Sequence, residues 1–230
     1  MRQILAQGRD FVRNSRNRDG FEQTKGDIEP LLTPAGVVLS SSPDLGDEFQ
    51  PLSELDPDAR RRAGHLILQI YFRQLLGSPS AILDLRADAF RGSAEGPLAW
   101  SPSALYVQWE PAFIAGLRDV YAGFYLDDRS RFDRGLLALG LEHADDLLLT
   151  HLGGEDQRRV RFTLEAFQSS FHALFVRCRD RNITLHRNFL ALGIDLVCLY
   201  DALQLLGGEF DVRDAFEQSY QSIGTGAPAC

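Results

Sequence analysis

The stretch from Leu185 to Leu206 is apolar on almost every side of a helical wheel. A helix of that kind has to be covered all round, so it predicts a central buried helix with others packed against it. Asp195 and Asp201 break the run, which reads as a core helix and not as a membrane span. Gly207-Gly208 ends it.

The rest of the chain offers partners for that helix. Asp56 before Pro57 predicts a helix N-terminus, with Ala63, Leu66, Ile67, Ile70 and Leu75 on one face and Gly77 as the stop. Glu110-Pro111 opens another helix through Phe113, Ile114, Leu117, Val120, Tyr121 and Phe124. Shorter helices are expected over Phe132 to Leu139, ended by Gly140, and over His143 to Leu152, ended by Gly153-Gly154. The longest pattern runs from Glu155 to Arg181, with Val160, Leu164, Phe167, Phe171, Leu174, Phe175 and Cys178 on its inner side. Asp211 caps a last helix through Val212, Ala215, Phe216 and Tyr220. Val37-Val38-Leu39 is the best strand candidate, and Ile4, Leu5, Phe11 and Val12 mark one short helix. Ser40 to Phe49 and Gly92 to Pro102 read as loops by composition. The expected fold is mainly α, with a minor strand region near the N-terminus. Residues 1–50 form a polar segment, 51–222 one helical domain and 223–230 a disordered tail.

Composition removes several function classes. The chain has 230 residues, 44% of them hydrophobic and 24% charged, which suits one globular domain with a core of its own. A net charge of -8 argues against nucleic acid and against an anionic membrane surface as main partner. Lys25 is the sole lysine, so phosphate chemistry has little to work with. Cys178, Cys198 and Cys230 have neither metal-ligand nor disulfide spacing. His65, His143, His151, His172 and His186 form no zinc-spaced pair. The first residues lack the apolar core of a secretory signal, and a cytoplasmic location is the expectation.

Leu52 to Leu76, with Tyr71-Phe72-Arg73-Gln74 near its end, resembles the helix before the catalytic loop of UbiB/AarF-type atypical kinases. In that family the loop reads H-A-D-P-H-P-G-N. Here Arg86-Ala87-Asp88-Ala89-Phe90-Arg91-Gly92-Ser93 stands in its place, keeping the Ala-Asp pair and the Gly. Both histidines and both prolines are gone, and Ser93 replaces the metal-binding Asn. The family continues with a short hairpin and a D-F-G whose Asp holds magnesium; this chain has no Asp between Asp88 and Asp119. Glu110-Pro111-Ala112-Phe113 then resembles the proline and Phe that open the family's next helix. The resemblance spans about three quarters of the chain and lacks the N-lobe motifs. It implies a kinase C-lobe-like helical domain.

On that resemblance Asp88 is a vestigial catalytic base and Ser93 a weak substitute in cofactor binding, a hydroxyl being a poorer metal ligand than an amide oxygen. Taken alone, Asp88 is a loop carboxylate that caps or is solvated, which is the preferred reading. Asp84 is equally suited to exposure and to function. Cys178 among Arg177, Arg179 and Arg181 has the charges of an activated thiol, but a small core residue is the simpler account. Phe162, Phe167, Phe171 and Phe175 read as core. The arginines at 158, 159 and 161 and at 177 to 187 suit an acidic partner or lipid head group, or more simply a solvated face.

Three functions follow. The first is a pseudokinase acting as a regulatory or scaffolding subunit, with the family's link to quinone and lipid metabolism. The second is a residual ATP-binding kinase or ATPase. The third is a helical interaction subunit unrelated to kinases. The expectation is no cofactor, neither ATP nor magnesium, and no metal. A protein partner is expected, with homo-oligomers or peripheral membrane contact compatible with it.

Overall fold

Asp56 begins the first long helix as its sequence position requires: its carboxylate accepts the backbone N–H of Asp58 and Ala59 at 2.9 and 2.8 Å, and Pro57 fills the first helical position. That helix, α1 (Pro57–Gly77), buries Ala63, Leu66, Ile67, Ile70 and Leu75. The computed structural model describes residues 48–94, 96–102, 105–146 and 159–224, and the backbone of three short strands upstream. Five more helices follow among the described residues: α2 (Pro111–Tyr125), α3 (Arg129–Leu139), α4 (Leu164–Asp180), α5 (Asn188–Leu206) and α6 (Val212–Gly224). The fold is mainly α with a minor strand component.

The strands are short. β1 (Phe21–Glu22) pairs antiparallel with β2 (Leu31–Leu32). β3 (Val37–Leu39), the strand expected from sequence, lies parallel to β7 (Leu98–Trp100), with Val37 opposite Leu98. β7 is antiparallel to β6 (Phe90–Gly92), and β6 to β4 (Gln50–Pro51), giving the order β3-β7-β6-β4. β5 (Ser80–Ile82) pairs with β8 (Tyr106–Gln108), and β9 (Arg159–Val160) with β10 (Phe210–Asp211), both antiparallel.

These strands correct two expectations. Gly92 to Pro102 is a hairpin and not a loop: its Gly and Pro residues supply the turn, where Gly96 has φ +121°, while Leu98, Ala99 and Trp100 are buried strand. The long helix begins at Leu164 and not at Glu155. Thr163 is extended and accepts the Ala166 N–H at 3.1 Å, a cap that starts the helix there, and Val160 is held in β9 by Phe210. Phe175, expected inside, is 49% exposed. The last helix runs to Gly224, into the expected tail. The helix expected near Ile4, most of the Ser40–Phe49 loop, the His143–Leu152 helix beyond Asp146, and Lys25, His151, Arg158 and Cys230 lie outside the described residues.

One hydrophobic cluster runs from Leu52 to Phe216. α5 passes through it, burying Phe189, Leu192, Leu196, Leu199, Leu203 and Leu206. Against the expectation from Asp195 and Asp201, it is the one described helix long and apolar enough to cross a membrane; 56% of it is buried among the other elements, as in a core helix. α2 and α3 touch most closely, at Gly123 and Gly135: an added Cβ would lie 2.3 Å from Phe132 N and 2.6 Å from Val120 N.

Candidate functional site

The loop that the family resemblance singles out lies between β5 and β6. Gln74 of α1 fixes its entry, its Oε1 accepting the Ile82 N–H at 2.7 Å. Leu83 donates its N–H to Leu105 O at 2.9 Å. Asp84 follows and is only 2% exposed. Arg86 grips it with two donors, Nε to Oδ1 at 2.8 Å and Nη2 to Oδ2 at 3.3 Å, a forked pairing stronger than a single contact. This carboxylate raises the pKa of Arg86. Trp100 closes over the turn and donates Nε1–H to Asp84 O at 2.8 Å.

α5 holds the same loop from the other side. Asp201 Oδ2 accepts the Ala87 N–H at 3.1 Å, and Cys198 Sγ sits 3.7 Å from Leu83 O. Residues Ala87–Ala89 make one 3-10 turn. Asp88 points outward, its side chain 72% exposed, with Arg86 Nη1 at 3.5 Å from its Oδ2. Ser93 is buried, donates its N–H to Pro97 O at 3.0 Å and accepts the Gly96 N–H at 3.2 Å, so it closes the β6–β7 turn. Asp88 and Ser93 are not brought together: β6 separates them, about 10 Å of extended chain.

The stretch that the resemblance sets against the D-F-G, about Pro102 to Val107, runs into β8, and after β8 the chain reads Trp109-Glu110. Trp109 stacks on Phe113, and Phe113 on His186, with centroids 5.9 and 5.1 Å apart. His186 Nδ1 accepts the Asn188 N–H at 3.1 Å, so Nε2 carries the proton it donates to Glu110 at 2.9 Å. These contacts tie the start of α5 to the start of α2.

The sequence singled out neither Asp84 with Arg86 nor the aromatic centre of the core. There Tyr71 and Tyr121 share a hydrogen bond of 2.7 Å between hydroxyls. Tyr125 and Tyr200 complete the group around a cleft that also meets Phe72 and Phe162. Asp195 of α5 is buried beside it, where the absence of water pushes its carboxyl up to about 8. A charge inside an all-round apolar helix is the sequence signal for it.

Cys178 is buried, and burial raises its pKa more than Arg177 lowers it; it is a core thiol without activation. Among the described residues no three His, Cys, Asp or Glu side chains form a group able to hold a metal ion. His65 joins Gln69 and Gln218 in a network between α1 and α6. No protein-family model matches the chain, and no curated protein matches it.

Proposed function

We propose that this chain is a kinase-derived protein of the UbiB/AarF type without phosphoryl transfer, acting through its surface as a regulatory or scaffolding subunit. The observation that carries the reading is the order of elements. A long helix, α1, is followed by a strand, a loop, the hairpin β6–β7, the strand β8 and a helix opened by Glu110-Pro111. That is the order the resemblance implies around a catalytic loop and a D-F-G.

The side chains favour a silent version of such a site. Phosphoryl transfer needs magnesium held by carboxylate and amide oxygens and a base facing the nucleophile. Here Asp84 is committed to Arg86, Asp201 to the Ala87 N–H, and Ser93 to a buried turn. No Asp lies between Asp88 and Asp119 to hold magnesium, and Glu110, the one carboxylate at the start of α2, is paired with His186.

Thermal unfolding of the full chain, with ATP or ADP and with or without magnesium, tests this. A ligand at a hundred times its Kd stabilises the folded state by about 2.7 kcal/mol. The expected result is no shift under any condition. A magnesium-dependent shift lost in Asp88→Ala overturns the proposal in favour of a residual nucleotide-using enzyme. In this reading a partner would cover exposed apolar side chains such as Phe175 on α4 and Leu190 on α5, 49% and 74% exposed.

A further inference from the structure

Among the described residues β8 is paired on one side only, with β5. Two bonds of 2.9 Å set the phase of that ladder: Leu83 N–H donates to Leu105 O, and Trp109 N–H to Pro79 O. In an antiparallel pair alternate residues turn their N–H and C=O groups to the partner strand, and the residues between turn them away. Leu105, Val107 and Trp109 therefore bond to the β5 side, while Tyr106 and Gln108 turn their backbone groups outward. On β5 the same phase turns Ser80 and Ile82 outward, and there both are met. Ser78 Oγ accepts the Ser80 N–H at 3.2 Å, and Gln74 Oε1 accepts the Ile82 N–H at 2.7 Å. The outward groups of Tyr106 and Gln108 have no such partner among the described residues.

Native sheets protect open edges with charge, proline or cover. β4, an edge of the four-stranded sheet, contains Pro51, which has no N–H to offer. β8 has neither charge nor proline, and from Gly96 to Trp109 the chain carries no charged side chain. Gln108 is exposed, Tyr106 and Val107 are half-buried, and Leu105 beside them is 49% exposed.

This edge is complementary to itself. Two copies of β8 laid antiparallel about Val107 set Tyr106 of each against Gln108 of the other, and both pairs exchange N–H···O=C bonds. Tyr106 Oη, which donates to Gln108 Oε1 at 3.4 Å within the strand, then faces the same side chain across the axis. A net charge of -8 sets copies of this chain against one another, and an uncharged edge is where they meet without a like-charge cost. We propose that β8 pairs with β8 of a second copy about a two-fold axis at Val107, joining two β5–β8 sheets into one of four strands. Each copy spends its β8 edge in the pair, and Ser78 and Gln74 cap β5 on the far side, so assembly closes at two. A three-residue edge covers far less than the roughly 1,600 Å² of a standard stable interface, which makes the dimer concentration-dependent. The proposal does not rest on the kinase reading.

Sedimentation equilibrium of the full chain, over concentrations from micromolar to near-millimolar, tests it. The expected result is a mass that rises from one chain toward two and no further. Gln108→Pro removes an outward N–H from each copy and should weaken association at least about tenfold, with the circular dichroism of the parent. A second variant keeps the strand intact. Val107 would face its own copy in a non-hydrogen-bonded pair, with Cα atoms about 4.5 Å apart, within reach of a disulfide. In a Cys230→Ser background, Val107→Cys should therefore cross-link under mild oxidation at least about tenfold faster than Tyr106→Cys, which lies off the axis. A single-chain mass at every concentration, growth beyond two chains, undiminished association in folded Gln108→Pro, or equal cross-linking of the two cysteine variants would each overturn the proposal.

Discussion

Two buried carboxyls in this protein have opposite surroundings. Asp84 has a forked guanidinium, while Asp195 has neither cation nor donor at Oδ1. The second should be visible in stability. Between the ordinary carboxyl value of 3.8 and about 8, the unfolded chain sheds the Asp195 proton and the folded chain keeps it. The folded state then binds more protons, so stability falls as pH rises through that window and levels off above it. The slope from this one group is about 1.4 kcal/mol per pH unit. Urea unfolding at several pH values should show Asp195→Asn losing this component, gaining on the parent as pH increases. A constant gap between the two proteins would show that the carboxyl titrates normally. For Asp195 the sequence carries a signal, a charge inside an apolar helix; for Asp84 it carries none. Asp84 reads as exposed or functional from its neighbours, because nothing local announces that Trp100 will fold over it.

Helices were readable because their signals are local and long. Asp56-Pro57, the face from Ala63 to Leu75, and Gly140 with its φ of +70° are each written within a few residues. The strands from β4 to β10 are two or three residues long, too few for alternation to show, and apart from the β6–β7 hairpin their partners are distant in sequence. Composition then misread the β6–β7 hairpin as a loop. The α2–α3 contact was equally hidden, since a glycine within a helical pattern does not say which backbone will approach it. Gly123→Ala should reveal it. The new Cβ would meet the backbone N and Cα of Phe132, at 2.3 and 2.6 Å, which no side-chain rotation relieves. Thermal or urea unfolding should show a loss of about 1 to 3 kcal/mol, the range for overpacking a close contact. An unchanged midpoint would mean the helices separate freely there.

At the scale of the whole molecule, one apolar cluster joins α1, the β6–β7 hairpin, α2, α5 and α6. The apolar α5 anticipated this, since a helix covered on all sides leaves room for only one centre. With no second core among the described residues, unfolding should be a single cooperative event. Near- and far-ultraviolet circular dichroism should therefore give coincident transitions. Separate midpoints would reveal an independent unit. The loop order that carries the kinase reading was visible as motif order alone. Whether its residues still converge was not, because convergence depends on Arg86, Asp201 and Trp100 arriving from three different elements.

The parallel contact between Val37–Leu39 and Leu98–Trp100 carries a further consequence. It gives β7 its outer neighbour, supplied by chain far upstream. A protein shortened to begin at Glu48 would leave a row of unpaired amide and carbonyl groups beside a buried tryptophan. Such a row recruits strands from other molecules. Trimming the N-terminus would therefore exchange an internal pairing for an intermolecular one, and solubility would begin to depend on concentration.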